Sequence, residues 1–206
     1  INKYGRHMLL YKSAAERRED LQVFRGMETK SSFLDVVNNF ISEMKQYDCG
    51  AEDLKDMSQR FDADSYTAGK LRDIYVLFSE YEKKIKGKYT DSEDYVDLYL
   101  EKIKDSKLIR GSSIWVYGFD SFAPKTMALL GQLMVYTDDV NLVLTWDDKR
   151  SDRDLFELTG IVMANAEKLA DSFNIPHKRY KIPDTYEFKD KAKAVRHIER
   201  ELYTLP

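Results

Sequence analysis

Two short apolar runs, SIWVYG from Ser113 and VNLVLTW from Val140, stand one helix-length apart, and nothing like them occurs earlier in the chain. Both are rich in β-branched and aromatic residues, which suit a pleated, half-buried surface. Between them, Pro124 to Tyr136 carries Met127, Leu130, Leu133 and Met134 at helical spacing. Strand, helix and strand of these lengths form a βαβ unit, hence a right-handed crossover and a parallel pair of buried strands. Ligands of open parallel sheets lie at the carboxyl ends of the strands. Asp120, after the first run, and Asp147–Asp148, after the second, are therefore expected at any functional edge.

The chain before this unit reads as helices only. In SSFLDVVNNFISEM the apolar positions Phe33, Val36, Val37, Phe40, Ile41 and Met44 recur on one helical face, with Ser31 or Ser32 as the cap. A second long helix carries Leu71, Ile74, Tyr75, Phe78 and Ile85, and Gly87 is placed to end it. In TDSEDYVDLYLEKI, Thr90 and Glu93 make a capping-box pair ahead of Tyr95, Leu98, Tyr99 and Ile103. Arg6 to Asp20 predicts a helix with Met8, Leu9 and Tyr11 inward, and Glu52 to Arg60 a short one. Beyond the βαβ unit, a helix is expected over Asp154 to Phe173 with Leu155, Leu158, Val162, Leu169 and Phe173 on one face. A third strand over His177 to Ile182 and a helix over Phe188 to Tyr203 complete the pattern. The expected class is α/β, an all-helical part over 1–110 followed by an α/β part over 111–206.

With 206 residues and a formal net charge of −3, a polyanion would be held by a local basic cluster rather than by the overall field. EKKIKGKY supplies one: Lys83, Lys84, Lys86 and Lys88 surround a helix end, with Arg17–Arg18 or Arg6 as neighbours. Lysines also suit the helix dipole there, so the cluster has a purely structural reading too. Cys49 is the one cysteine, which excludes an internal disulfide and any cysteine-based metal cluster, and fits a reducing cytosol. No apolar run approaches the ~20 residues of a membrane span. The chain begins Ile1-Asn2-Lys3-Tyr4, without methionine or signal peptide, which suggests a piece of something longer.

A nucleoside-triphosphate motor needs a glycine-rich phosphate loop ending in Lys and Ser or Thr, and an acid at a strand end for magnesium. The glycines at 5, 26, 50, 69, 87, 111, 118, 131 and 160 contain no pair with that spacing. Where the strand-end acids would stand are Tyr117 and Gly118, and Asp120 lies two residues further on. The plainer reading makes Asp120 a turn residue and Asp147–Asp148 part of a solvated loop, DDKRSDRD. His7, His177 and His197 have no metal-ligand spacing, and no nucleophile elbow occurs. No catalytic constellation and no metal site emerge.

The tracts YTDSEDYVDLYLEKI, IWVYGFDSFAPKTMALLGQLM, VNLVLTWDD, DLFELT and VRHIERELY, in this order, resemble the B subunit of the AddAB-type helicase–nucleases, an ATP-dependent deoxyribonuclease. The opening INKYGRHMLLYKSAAERREDLQVF and the SSFLDVVNNFISEMKQYDCGAEDL that follows are similar to that family's helical insertion. One departure is Ala123, where the family has Thr before Pro124, removing a helix cap worth ~1 kcal/mol. The resemblance implies a fragment of the N-terminal, UvrD-like helicase region: a helical insertion, then returning strands of a P-loop NTPase-like core whose phosphate loop lies upstream. It further implies a DNA-repair role in end processing and recombination, with DNA and an A-type helicase–nuclease subunit as partners. ATP, magnesium and an iron–sulfur cluster would belong to the parent protein, and Asp120 and Asp147 would mark a degenerate nucleotide-site edge. Two other readings stay open: a scaffold docking a partner through exposed tyrosines, and part of an active ATPase completed from upstream.

Overall fold

The computed structural model describes residues 1–146, 154–181 and 193–201. The chain divides into two compact units, one of Ile1–Lys102 with Ala123–Leu129, the other of Ile103–Phe122 with Leu130–Pro206.

The first unit is helical: α1 (Lys3–Glu16), α2 (Ser31–Gln46), α3 (Ala51–Ser58), α4 (Tyr66–Ile85) and α5 (Tyr95–Lys102). Its core joins Leu10 and Ala14 of α1, Leu34, Val37 and Ile41 of α2, Leu54 of α3, and Leu77, Phe78 and Tyr81 of α4. The stripe expected on α4 is present, although Leu71, Ile74 and Tyr75 sit at its margin and Leu77 and Tyr81 at its centre. Gly87, at φ +72°, adopts the left-handed conformation that ends the helix, and the Lys88 and Tyr89 amides donate to the Ile85 carbonyl.

Three expectations for this unit are corrected. Helix α1 turns its Leu10, Ser13 and Ala14 side inward, with Arg6 one turn earlier, and leaves Met8 and Tyr11 exposed. On α2, Val36 is exposed, and the helix begins after Lys30 with no side-chain cap from Ser31 or Ser32. The Thr90–Glu93 box is replaced by a bond from the Asp91 amide to the Asp94 carboxylate at 3.1 Å, and α5 starts only at Tyr95. Both Tyr95 and Tyr99 are exposed.

At Gly69 on α4, a Cβ would meet Val23 Cγ2 at 2.7 Å. Alanine is the better helix former by ~1 kcal/mol, but a β-branched valine has little rotamer freedom with which to give way. Gly69→Ala is therefore expected to lower the melting temperature, and Val23→Ala in the same chain to restore part of the loss.

The second unit contains β1 (Ser113–Tyr117), most of α6 (Pro124–Tyr136), β2 (Asp139–Val143), α7 (Glu157–Ser172) and α8 (Lys193–Glu201). The strands pair in parallel, Ser113 opposite Asp139 and Tyr117 opposite Val143, as the βαβ reading requires. Helices α6 and α7 approach closely at Gly131, where a Cβ would lie 3.1 Å from Leu169 and Phe173. Asn174, at φ +55°, ends α7, and the Ile175 amide turns back to the Ala170 carbonyl.

Here too the structure departs from what the sequence pattern predicts. The strands are not buried: Trp115 is 69% and Tyr117 78% exposed. Leu144 to Trp146 lie outside β2, and residues 177–181 are irregular rather than a third strand, whose end at Ile182 lies outside the described residues. Helix α7 buries Thr159, Val162, Ala166 and Ala170 and exposes Leu158, while Leu155 falls on a short 3-10 turn before it. The described architecture is thus mainly helical, with a two-stranded parallel sheet. Among the described residues, no helix is long and apolar enough to cross a membrane.

Candidate nucleic-acid interface

The lysine cluster forms because α4 stops at Ile85 and Gly87 reverses the chain, so that Lys83, Lys86 and Lys88 are exposed around one helix end. Lys84 differs. It bonds the Glu16 carboxylate of α1 and lies 3.2 Å from Glu80. The Glu16 bond raises the Lys84 ammonium above its ordinary value and lowers the Glu16 carboxyl. Lys84 thus ties α4 to α1, and only Lys83, Lys86 and Lys88 present charge outward. Lys83 keeps a loose 3.9 Å pairing with Glu80.

The arginines considered beside them are engaged. Arg17 meets Asp20 at 2.9 Å and Arg18 meets Glu28 at 3.0 Å. Arg6 is buried, its guanidinium 3.2 Å from Asp91 and donating to the Asn38 carbonyl and the Ser42 hydroxyl.

Arg6 belongs to a charge network that sequence reasoning missed. Asp91 is fully buried; it accepts from the Tyr81 hydroxyl at 2.8 Å and lies 3.4 Å from Lys45 Nζ, which also reaches Asp94 at 2.8 Å. Burial alone would raise the Asp91 carboxyl. The Tyr81 bond and the charges of Arg6 and Lys45 outweigh it and hold the group below its ordinary value. Burial, then the bond to Asp91, pushes the Tyr81 hydroxyl far above its ordinary value. A signal did exist: Lys45 continues the buried stripe Val37–Ile41 at the next turn, and Arg6 precedes Leu10 by one turn. A charge in register with a core stripe predicts a buried partner.

Beside this network a cavity of about 510 Å³ is lined by Lys45, Glu52, Glu82, Lys83, Lys86 and Tyr89, among others. Burial raises the Glu82 carboxyl, against the opposing pull of Lys45. The lysines stand next to acids here, so the cavity itself is no simple anion cradle.

Of the expected nucleotide-site edge, Asp120 is exposed on the turn after β1, where the Ser121 hydroxyl donates to it at 3.4 Å. Asp147 and Asp148 lie outside the described residues. Among the described residues, no three His, Cys, Asp or Glu side chains are grouped to hold a metal ion. The donor set also does not fit an iron–sulfur cluster, which takes four cysteines against the one, Cys49, in this chain. Among the described residues, Asp120 is the one member of the expected edge that is placed, and it stands on an exposed turn.

A family model described as ADDB, N-terminal, matches residues 1–199. The B subunit of the ATP-dependent helicase/deoxyribonuclease of Alkaliphilus metalliredigens (strain QYMF) is 30% identical over 210 residues, covering 100% of this chain and 18% of that protein. A Bacillus cereus protein of the same name is 30% identical over 217 residues, with the same two shares. That of Bacillus anthracis is 32% identical over 181 residues, covering 82% of this chain and 16% of that protein. The chain thus spans under a fifth of the length of these relatives. The match over residues 1–199 runs through both the helical unit and the parallel strand pair, and this chain belongs to the ADDB, N-terminal family.

Proposed function

We propose that this chain serves as part of a helicase–nuclease subunit that processes DNA ends at double-strand breaks, contributing DNA binding and subunit assembly and no catalysis of its own. The match through residues 1–199, together with relatives named as the B subunit of an ATP-dependent helicase/deoxyribonuclease, carries this reading. The Tyr117–Gly118 pair at the strand end, where acids would stand, agrees with a motor-like core that has lost its chemistry. In this reading residues 1–110 are the helical insertion and 111–206 the returning part of a P-loop NTPase-like core. Asp120 and Asp147 then mark its eroded edge. ATP, magnesium and an iron–sulfur cluster are assigned to other parts of the parent protein.

The DNA contact is assigned to Lys83, Lys86 and Lys88, with Lys84 as their structural neighbour. Contacts of this kind go to phosphates, independent of sequence and sensitive to salt. Fluorescence anisotropy with a labelled forked oligonucleotide tests it. Changing Lys83, Lys86 and Lys88 together to Glu is expected to weaken binding about tenfold or more and to flatten the dependence of log K on log salt by roughly one unit per lost contact. Unchanged affinity and slope would remove these lysines from the interface. A second reading, docking of the A-type partner, is favoured by the exposed tyrosines of the helical unit, Tyr4, Tyr66, Tyr95 and Tyr99 among them.

A further inference from the structure

The cavity of about 510 Å³ lies wholly within the helical unit, and its volume is that of a small-ligand site. Part of its lining is committed to the fold. Lys45 is held by Asp91 and Asp94, and Glu52 accepts from the Tyr75 hydroxyl at 3.1 Å. The rest is not. Among the described residues, the side chains of Glu82, Lys86 and Tyr89 make no hydrogen bond and no ion pair, and Lys83 has only its loose pairing with Glu80. Glu82 is half-buried, an acceptor partly withdrawn from water with no donor to satisfy it, and burial raises its carboxyl. Tyr89 is 51% exposed, yet its backbone is fixed, since its amide donates to the Ile85 carbonyl at 3.0 Å.

The uncommitted groups are thus one hydrogen-bond acceptor, one aromatic face and two cations, with Lys88 exposed one residue before the tyrosine. An inorganic anion would use the lysines and leave the acid and the ring idle. A zwitterionic peptide offers the ring no flat partner and brings one carboxylate to several lysines. In a duplex both faces of each base are covered by its neighbours. A nucleotide out of the stack uses every group. Its base stacks on an aromatic ring, its phosphates meet lysines, and an exocyclic amine donates to a carboxylate. Cytosine and adenine carry that amine, whereas thymine presents a carbonyl oxygen that a carboxylate repels.

We propose that this cavity receives one unpaired cytosine or adenine nucleotide, with Tyr89 stacked on the base, Glu82 accepting from its exocyclic amine, and Lys83 and Lys86 on the phosphates. This rests on the DNA contact given under the proposed function and names the form of nucleic acid, and the kind of base, that the contact takes. A single strand and a free nucleoside phosphate would be recognised by the same chemistry.

Fluorescence anisotropy of the whole chain with labelled dC and dT strands of equal length, and with a duplex, tests it at neutral pH. Wild type is expected to favour dC over dT at least about threefold. Tyr89→Ala should weaken binding of both strands about fivefold or more, with the salt slope and the duplex affinity unchanged, and Tyr89→Phe should restore it. Glu82→Ala should bring dC and dT together, and Glu82→Gln, which keeps a carbonyl acceptor, should retain part of the difference. Equal affinity of the wild type for dC and dT, or undiminished strand binding by Tyr89→Ala, would overturn the base pocket, while the lysine contact stands on its own salt dependence. If the wild type binds neither strand nor duplex, the DNA contact fails. The pocket then survives only if deoxycytidine monophosphate binds, thymidine monophosphate does not, and Tyr89→Ala loses the difference. Displacement of the dC strand by a zwitterionic peptide and not by deoxycytidine monophosphate would give the cavity to a protein segment instead.

Discussion

Replacing Asp91 by alanine is expected to cost about 3–5 kcal/mol of folding stability, read from urea denaturation at pH 7. The carboxylate is wholly enclosed and meets Arg6 at 3.2 Å, Lys45 at 3.4 Å and the Tyr81 hydroxyl at 2.8 Å. Removing it leaves a buried guanidinium short of its main counter-ion and a buried phenol without an acceptor. Asp94 still holds Lys45 at 2.8 Å, so the ammonium is the least affected of the three. Against a total stability of the usual ~5–15 kcal/mol, such a loss brings the helical unit close to unfolding. The pH dependence has a definite sign. The folded-state carboxyl titrates below its ordinary 3.8, so its contribution is present above that value and is lost as pH falls through the lower, folded one. The wild-type advantage over Asp91→Ala should therefore be constant from neutral pH down to about pH 5 and collapse below about pH 4. An advantage that persists undiminished in strong acid would show that packing, not charge, is what the residue supplies.

The second large effect is expected at Asp73, a fully buried carboxylate of α4. It accepts from the backbone amides of Gln22 at 2.9 Å, Val23 at 2.8 Å and Phe24 at 2.8 Å. These three donors belong to the connection after α1, and nothing in its own sequence gives them a helix or strand partner. Bonds to a charged acceptor contribute more than neutral ones, and an unsatisfied buried donor costs about 1–3 kcal/mol. Asp73→Ala should lose about 3 kcal/mol or more, by the same scale. Asp73→Asn retains one oxygen, but its amide group faces a backbone donor wherever it is placed, so roughly half the loss should remain. Limited proteolysis gives an independent readout, since cleavage within residues 22–24 should accelerate in both variants, more so in alanine. Equal cleavage rates in wild type and Asp73→Ala would mean that the segment is held by its side chains instead.

Much of the secondary structure was legible because it depends on local repeats. The stripes of α2 and α4, the full extent of α6, the parallel strand pair and the role of Gly87 could be read from spacing and from the one residue type that tolerates a positive φ. The misreadings have physical causes. Periodicity reports that a helix has an apolar side, and α1 has two, so the sequence pattern chose Met8 and Tyr11 where the core took Leu10 and Ala14. Residues 177–181 have strand-like composition, but composition alone supplies no neighbouring strand to pair with.

The candidate surface was legible as a lysine cluster, yet its membership was not. Lys84 differs from Lys83 by one position, and that rotation aims it at Glu16, 68 residues away in sequence. Arg6, which read as a possible anion contact, is committed to Asp91, a distant partner that no short motif announces.

The sequence by itself determined most of the helical segments, the parallel strand pair, the absence of a phosphate loop from these residues and the family, because each is written in spacing over a few residues or in the order of tracts along the chain. Tertiary structure alone decided which charges are buried, which lysines of the cluster stay exposed, and which side of α1 faces solvent. Those outcomes depend on pairings between distant segments, where desolvation and Coulomb attraction are settled only once the helices have met.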